Sequence, residues 1–171
     1  RNDEIDKAAI LSRRLVMRSR DKVQDQVLFS IAYPRPFEDL VEQYATQDGV
    51  PKNLLYAIMR EESSFRPSAR SPRDARGLMQ MIHPTAKRMA RQVKLKRFRF
   101  RHLFKPEISI RLGAHYVKTL LKQFDGNIVA AIASYHAGED RVARWLKKRG
   151  DLRKDEFIED IPIESTRRYV K

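Results

Sequence analysis

No stretch of this chain alternates apolar and polar residues for the length that a half-buried β-strand needs, whereas apolar residues recur every three or four positions through most of it. That periodicity predicts an all-α fold. Prolines and glycines punctuate it where helices begin and end: Pro36, Pro84 and Pro106 suit first helical turns, and Gly49 and Gly126 suit stops. The expected helices cover residues 3–17, 21–32, 37–47, a segment starting at Lys52, then 84–93, 106–124, 128–137 and 139–149. Asn127 is placed to cap the helix after it, and residues 128–137 are so uniformly apolar that this helix must be packed on several sides.

The segment that carries chemistry runs from Leu54 to Gln80. Leu54, Leu55, Ile58 and Met59 make an apolar stripe, and at about 100° per residue Glu62 falls near the middle of it while Glu61 lies to one side. Glu62 is therefore expected to point inward. A carboxylate on an apolar face is costly to ionise, and the negative end of the helix dipole pushes the same way, so its pKa is expected to rise. Such a group suits general-acid work. The competing account is an ion pair with Arg66, Arg70 or Arg73 that only closes the helix. The polar loop from Ser63 to Arg76 suits the irregular wall of a cleft.

Charge and composition narrow the classes. A net charge of +14 predicts attraction to a polyanion, for which nucleic acid, an anionic membrane surface and the bacterial cell wall all qualify. Between Lys87 and Lys105, basic residues interleave with Phe98, Phe100 and Phe104; this is either a stacking platform for nucleic acid or a solvated loop whose phenylalanines dock on the core. No apolar run approaches a membrane span. The absence of cysteine excludes disulfides and thiolate metal sites, and His83, His102, His115 and His136 lack zinc-like spacing, so neither metal nor cofactor is expected. The chain starts without methionine or a signal-peptide pattern, as expected of a mature form or an excised fragment.

Four ordered blocks carry a resemblance. Glu62-Ser63-Ser64-Phe65-Arg66-Pro67 is followed by Ala75-Arg76-Gly77-Leu78-Met79-Gln80 with Pro84-Thr85-Ala86, then by Ser134-Tyr135-His136-Ala137-Gly138 with Arg141-Val142 and Trp145, and last by Ile161-Pro162 with Glu164-Ser165-Thr166-Arg167-Arg168-Tyr169-Val170. Together they resemble the signature of the soluble lytic transglycosylases, bacterial enzymes that cut peptidoglycan. The resemblance implies a lysozyme-like transglycosylase domain over residues 34–171. Residues 1–33 look like the last helical pieces of the superhelix that often precedes it. It also implies peptidoglycan glycan strands as partner, no nucleic acid, and a place in the periplasm or cell envelope.

By the same resemblance Glu62 is the single catalytic acid and base, cutting the β-1,4 bond after N-acetylmuramic acid to leave a 1,6-anhydro end. Ser63, Met79, Gln80, Tyr135, His136 and Glu164 are the implied substrate-binding residues. Ser63 would orient the acid or the substrate acetamido group, or else only close the helix; Glu164 would contact the glycan, or else only complement a helix dipole. Asp125, Glu139 and Asp140 follow helix ends and are expected to be solvated. Glu61, Asp74 and His136 stand where the family commonly has glutamine, glycine and asparagine, and Asp74 puts the local loop conformation in question. The alternatives are a hydrolytic muramidase, which needs a second carboxylate near Glu62, and a non-catalytic glycan-binding module.

Overall fold

The computed structural model describes residues 32–149 and 152–171, so the helices expected over 3–17 and 21–32 lie almost wholly outside the described residues. Helix α1 (Glu38–Asp48) and helix α2 (Lys52–Ser63) form a pair joined at Gly49, which takes the left-handed conformation that stops α1. The stripe read from the sequence is the buried one: Leu55, Ile58 and Met59 point into the core, and Leu54 is partly covered. Helix α3 (His83–Gln92) and helix α4 (Pro106–Gln123) both carry proline in the first turn, where a missing N–H costs nothing.

Helix α4 is the axis of the molecule. Its residues Ile110, Leu112, Val117 and Leu120 are almost fully buried, because α1, α3 and helix α5 (Ile128–Ala137) all pack against it. Asn127 caps α5 as expected, its side-chain oxygen accepting from the Ala130 N–H at 3.1 Å. Gly138 turns the chain into helix α6 (Glu139–Arg149), which buries Val142 and Trp145. Short helices α7 (Lys154–Glu159) and α8 (Glu164–Val170) follow, and α8 returns to lie on α5. Among the described residues the only β-type pairing is two isolated bridges, Arg70 with Arg76 and Arg76 with Met81. The described part of the chain is all-α, and none of its helices is long and apolar enough to cross a membrane.

The basic and aromatic block folds inward. Residues Phe100–Phe104 form one 3₁₀ turn with Leu103 buried, and Phe98 and Phe100 pack against the core. Arg76 lays its guanidinium 4.2 Å from the centre of the Phe100 ring. Those two rings therefore serve packing.

Candidate active site

Glu62 sits in the last turn of α2, on the wall of a cavity of about 870 Å³. Neighbouring arginines do not neutralise it: Arg66 donates to the Ser63 carbonyl, Arg70 pairs with Asp74, and Arg73, though on the same cavity, does not bear on its carboxyl. Its hydrogen bond comes from far along the chain, where the Tyr169 hydroxyl on α8 donates to Glu62 Oε1 at 2.7 Å. Burial pushes the Glu62 carboxyl up, to about 7; the Tyr169 hydrogen bond pulls against this, and the charge of Glu61 adds to it. The group is thus poised to hold or release a proton near neutrality. Burial and the nearby Glu62 charge keep the Tyr169 phenol protonated, so it remains a donor.

Two other aromatic residues complete this wall. Tyr169 packs its ring against that of His136, with centres 4.8 Å apart, and His136 Nδ1 is 3.0 Å from the Thr166 hydroxyl oxygen. Burial, then the charge of Arg73, hold His136 below the usual histidine range, so it stands neutral. Tyr135 also lines the cavity, and its hydroxyl donates to the Met79 carbonyl at 2.7 Å. Among the described residues no cluster of three or more metal-ligating side chains occurs.

Residues 39–158 match the Transglycosylase SLT domain family. The chain belongs to that family. It is 33% identical over 141 residues to the soluble lytic murein transglycosylase of Escherichia coli, and 39% identical over 114 residues to the membrane-bound lytic murein transglycosylase C of Yersinia enterocolitica. These alignments cover 81% and 61% of this chain, but 22% and 32% of the relatives. Among solved structures it is similar to an inactive glutamate-to-glutamine mutant of the lytic transglycosylase Slt of Pseudomonas aeruginosa, with a TM-score of 0.80 and 34% identity. That match covers 99% of this chain and 28% of the other. A complex of the 70-kDa soluble lytic transglycosylase with bulgecin A matches with a TM-score of 0.79 and 33% identity, over 83% of this chain and 23% of that one. The fold is that of the lysozyme-like transglycosylase domains.

Several residues expected to bind substrate in this SLT domain are placed otherwise. Met79 is fully buried and packs against Gly113 of α4, so its thioether belongs to the core; the residues that follow it, Gln80, Met81 and Ile82, line the cavity instead. Ser63 is also buried, its hydroxyl 2.8 Å from the Leu78 carbonyl oxygen and 3.0 Å from that of Met59, which ties the end of α2 to the Gly-Leu-Met-Gln turn. Glu164 is exposed, 3.8 Å from Arg168, and off the cavity wall. Each correction has one cause: a helix or turn can offer a cleft only one of its faces.

Gln80, Tyr135 and His136 do line the cavity. Gln80 offers less than expected, because its amide nitrogen already donates to Ala69 and Gly77 carbonyls at 3.0 and 2.8 Å. Only its carbonyl oxygen remains for a ligand. Asp74 takes the left-handed conformation with φ 60, and Arg70 and Arg76 both hold its carboxylate. The loop is therefore built with aspartate where glycine is common in the family.

Glu139 corrects another expectation. It lines the cavity, accepts a hydrogen bond from the Tyr116 hydroxyl at 2.7 Å and pairs with Arg88 at 2.6 Å. Burial alone would raise its carboxyl, but the hydrogen bonds from Arg88 and Tyr116 and the guanidinium charge more than offset that and leave it below the usual carboxylate range. Sequence reading missed both Arg88 and Glu139 as cavity residues. The available signal was weak: Arg88 lies one turn beyond Pro84 and Thr85, on the same side of α3.

Proposed function

We propose that this domain is a peptidoglycan lytic transglycosylase acting at the bacterial cell envelope, with Glu62 as its single catalytic acid and base. The observation that carries this reading is a cavity-wall carboxyl that no cation among the described residues neutralises and whose pKa is pushed up to about 7. Glu62 protonates the oxygen of the β-1,4 bond between N-acetylmuramic acid and N-acetylglucosamine. The carboxylate so formed removes the proton of the muramoyl C6 hydroxyl, whose oxygen attacks C1. The products are a free hydroxyl on the departing sugar and a 1,6-anhydromuramoyl end, with no water consumed. Substrate assistance by the 2-acetamido group replaces the second carboxylate of ordinary glycosidases.

Two further carboxylates on the same cavity, Glu139 and Asp140, are the observation that favours a hydrolytic muramidase. Arg88 and Tyr116 each engage one Glu139 oxygen and hold its carboxyl below the usual range. A carboxylate held below its usual range is a weak base for activating water, and Asp140 is exposed to solvent, so the lyase route is the better supported. Mass spectrometry of muropeptides released from purified peptidoglycan separates the two. Products lighter by one water at the muramoyl end, absent with Glu62→Gln, are expected; reducing ends would make the domain a hydrolase.

A further inference from the structure

Arg88 and Glu139 come from α3 and α6, helices that otherwise pack on different partners, α4 and α5 respectively. Their ion pair spans the cavity wall, and it is built from below. Tyr116 of α4 is nearly buried, donates to Glu139 at 2.7 Å, and lies beneath the Arg88 guanidinium, which stands 5.7 Å from its ring centre. Tyr116 in turn packs against Tyr135, with ring centres 5.2 Å apart. The pair is thus fixed on both sides, while Arg88 remains 44% and Glu139 20% exposed at the side chain.

A guanidinium has five N–H donors in a planar fork, and Glu139 engages one corner of it. Tyr116 contacts the guanidinium from below, and the exposed part of the fork lies beside a carboxylate whose oxygens keep unused lone pairs. The edge presented to the cavity is an alternation of donor and acceptor with its charge compensated internally. Such an edge fits the hydroxyl and N-acetyl groups of an uncharged sugar better than it fits an anion, which a carboxylate at this distance would repel. Arg88, Glu139 and Glu62 all line the same cavity.

We propose that Arg88 is a specificity-determining residue that binds an uncharged N-acetylhexosamine unit of the glycan, with Glu139 and Tyr116 as positioning residues that fix its guanidinium. The proposal deepens the peptidoglycan reading and rests on it for the natural ligand, but not for its test. Arg88 fixed in this way loses little freedom on binding, so its contact retains most of its strength.

The test uses calorimetric titration of uncharged N-acetylglucosamine oligomers into the Glu62→Gln protein, which needs no turnover. Adding Arg88→Met is expected to weaken binding roughly tenfold, the worth of one charge-assisted hydrogen bond. Glu139→Gln is expected to give a similar loss, and the combination with Arg88→Met no further loss, because Glu139 acts through Arg88. The Arg88 effect is expected to persist at high salt, since the ligand carries no charge. Unchanged affinity in Arg88→Met overturns the proposal, and so does an effect that high salt abolishes, which would mark an anion site. Additive losses overturn the role given to Glu139. Arg88 lies on an exposed helix face, so its variant reads the contact even where Glu139→Gln destabilises the fold. Failure of the wild-type domain to release anhydromuropeptides would sink the functional reading and leave this binding result standing.

Discussion

Tyr169 and Glu62 lie 107 residues apart in sequence and 2.7 Å apart in space, so α8 moderates the proton affinity that burial gives a carboxyl on α2. The hydrogen bond favours the carboxylate, and removing it raises the pKa further above about 7. In the proposed reaction the first step requires protonated Glu62, so activity is expected to fall as pH rises through about 7. In Tyr169→Phe the alkaline limb is expected to move upward. The pH dependence of kcat/KM on soluble glycan strands measures both; an unshifted limb in the variant would show that the bond does not tune the acid.

The same burial makes Glu62 a stability liability when ionised. Its folded pKa lies above the unfolded value of 4.5, so its favourable contribution is complete below pH 4.5 and is lost as pH rises through about 7. Ionised, the group costs on the order of 3 kcal/mol relative to its protonated form. Glu62→Gln is therefore expected to match the wild type near pH 4 and to exceed its stability by up to about 3 kcal/mol near pH 8. Urea denaturation at the two pH values reads the difference, and equal midpoints at pH 8 would contradict the burial argument.

Ser63 is buried, with its hydroxyl on the Leu78 carbonyl. Ser63→Ala leaves that carbonyl without its partner and is expected to cost about 1–3 kcal/mol of stability while leaving the anhydro product unchanged. Thermal melting and product analysis on the same sample check this. A loss of turnover above about a hundredfold at unaltered stability would instead return Ser63 to the chemistry.

What the sequence could reveal follows from the distance over which each relationship acts. The burial of Leu55, Ile58 and Met59, the proline-headed helices α3 and α4 and the Asn127 cap are fixed by residues within one or two turns, and spacing alone exposes them. The inward turn of Glu62 is equally local. Which flanking residues face the cavity is not: Met79 packs on Gly113 while Met81 lines the cavity, and the backbone path of the turn past α4 decides this. Glu139 looked solvated because its partners, Arg88 and Tyr116, are 51 and 23 residues away and come from two other helices. Long-range pairing of this kind leaves no periodic trace.

The contact between Gly113 and Met79 gives a route from the core to the cavity. A Cβ at position 113 would lie 2.5 Å from Met79 Cγ and 2.9 Å from its Cβ, too close for either to stay in place. Met79 cannot yield by a rotation of its far end alone, because its own Cβ is in the way, and its backbone is pinned by Ser109 at its N–H and by Tyr135 at its carbonyl. Gly113→Ala must therefore push the Gly-Leu-Met-Gln turn, which carries Gln80 into the cavity. An overpacking cost of about 1–3 kcal/mol is expected, together with a fall in kcat/KM, although no cavity residue is altered. Chemical denaturation and steady-state kinetics on the one variant decide it. Lost stability with wild-type kcat/KM would mean that the turn absorbs the strain before it reaches Gln80.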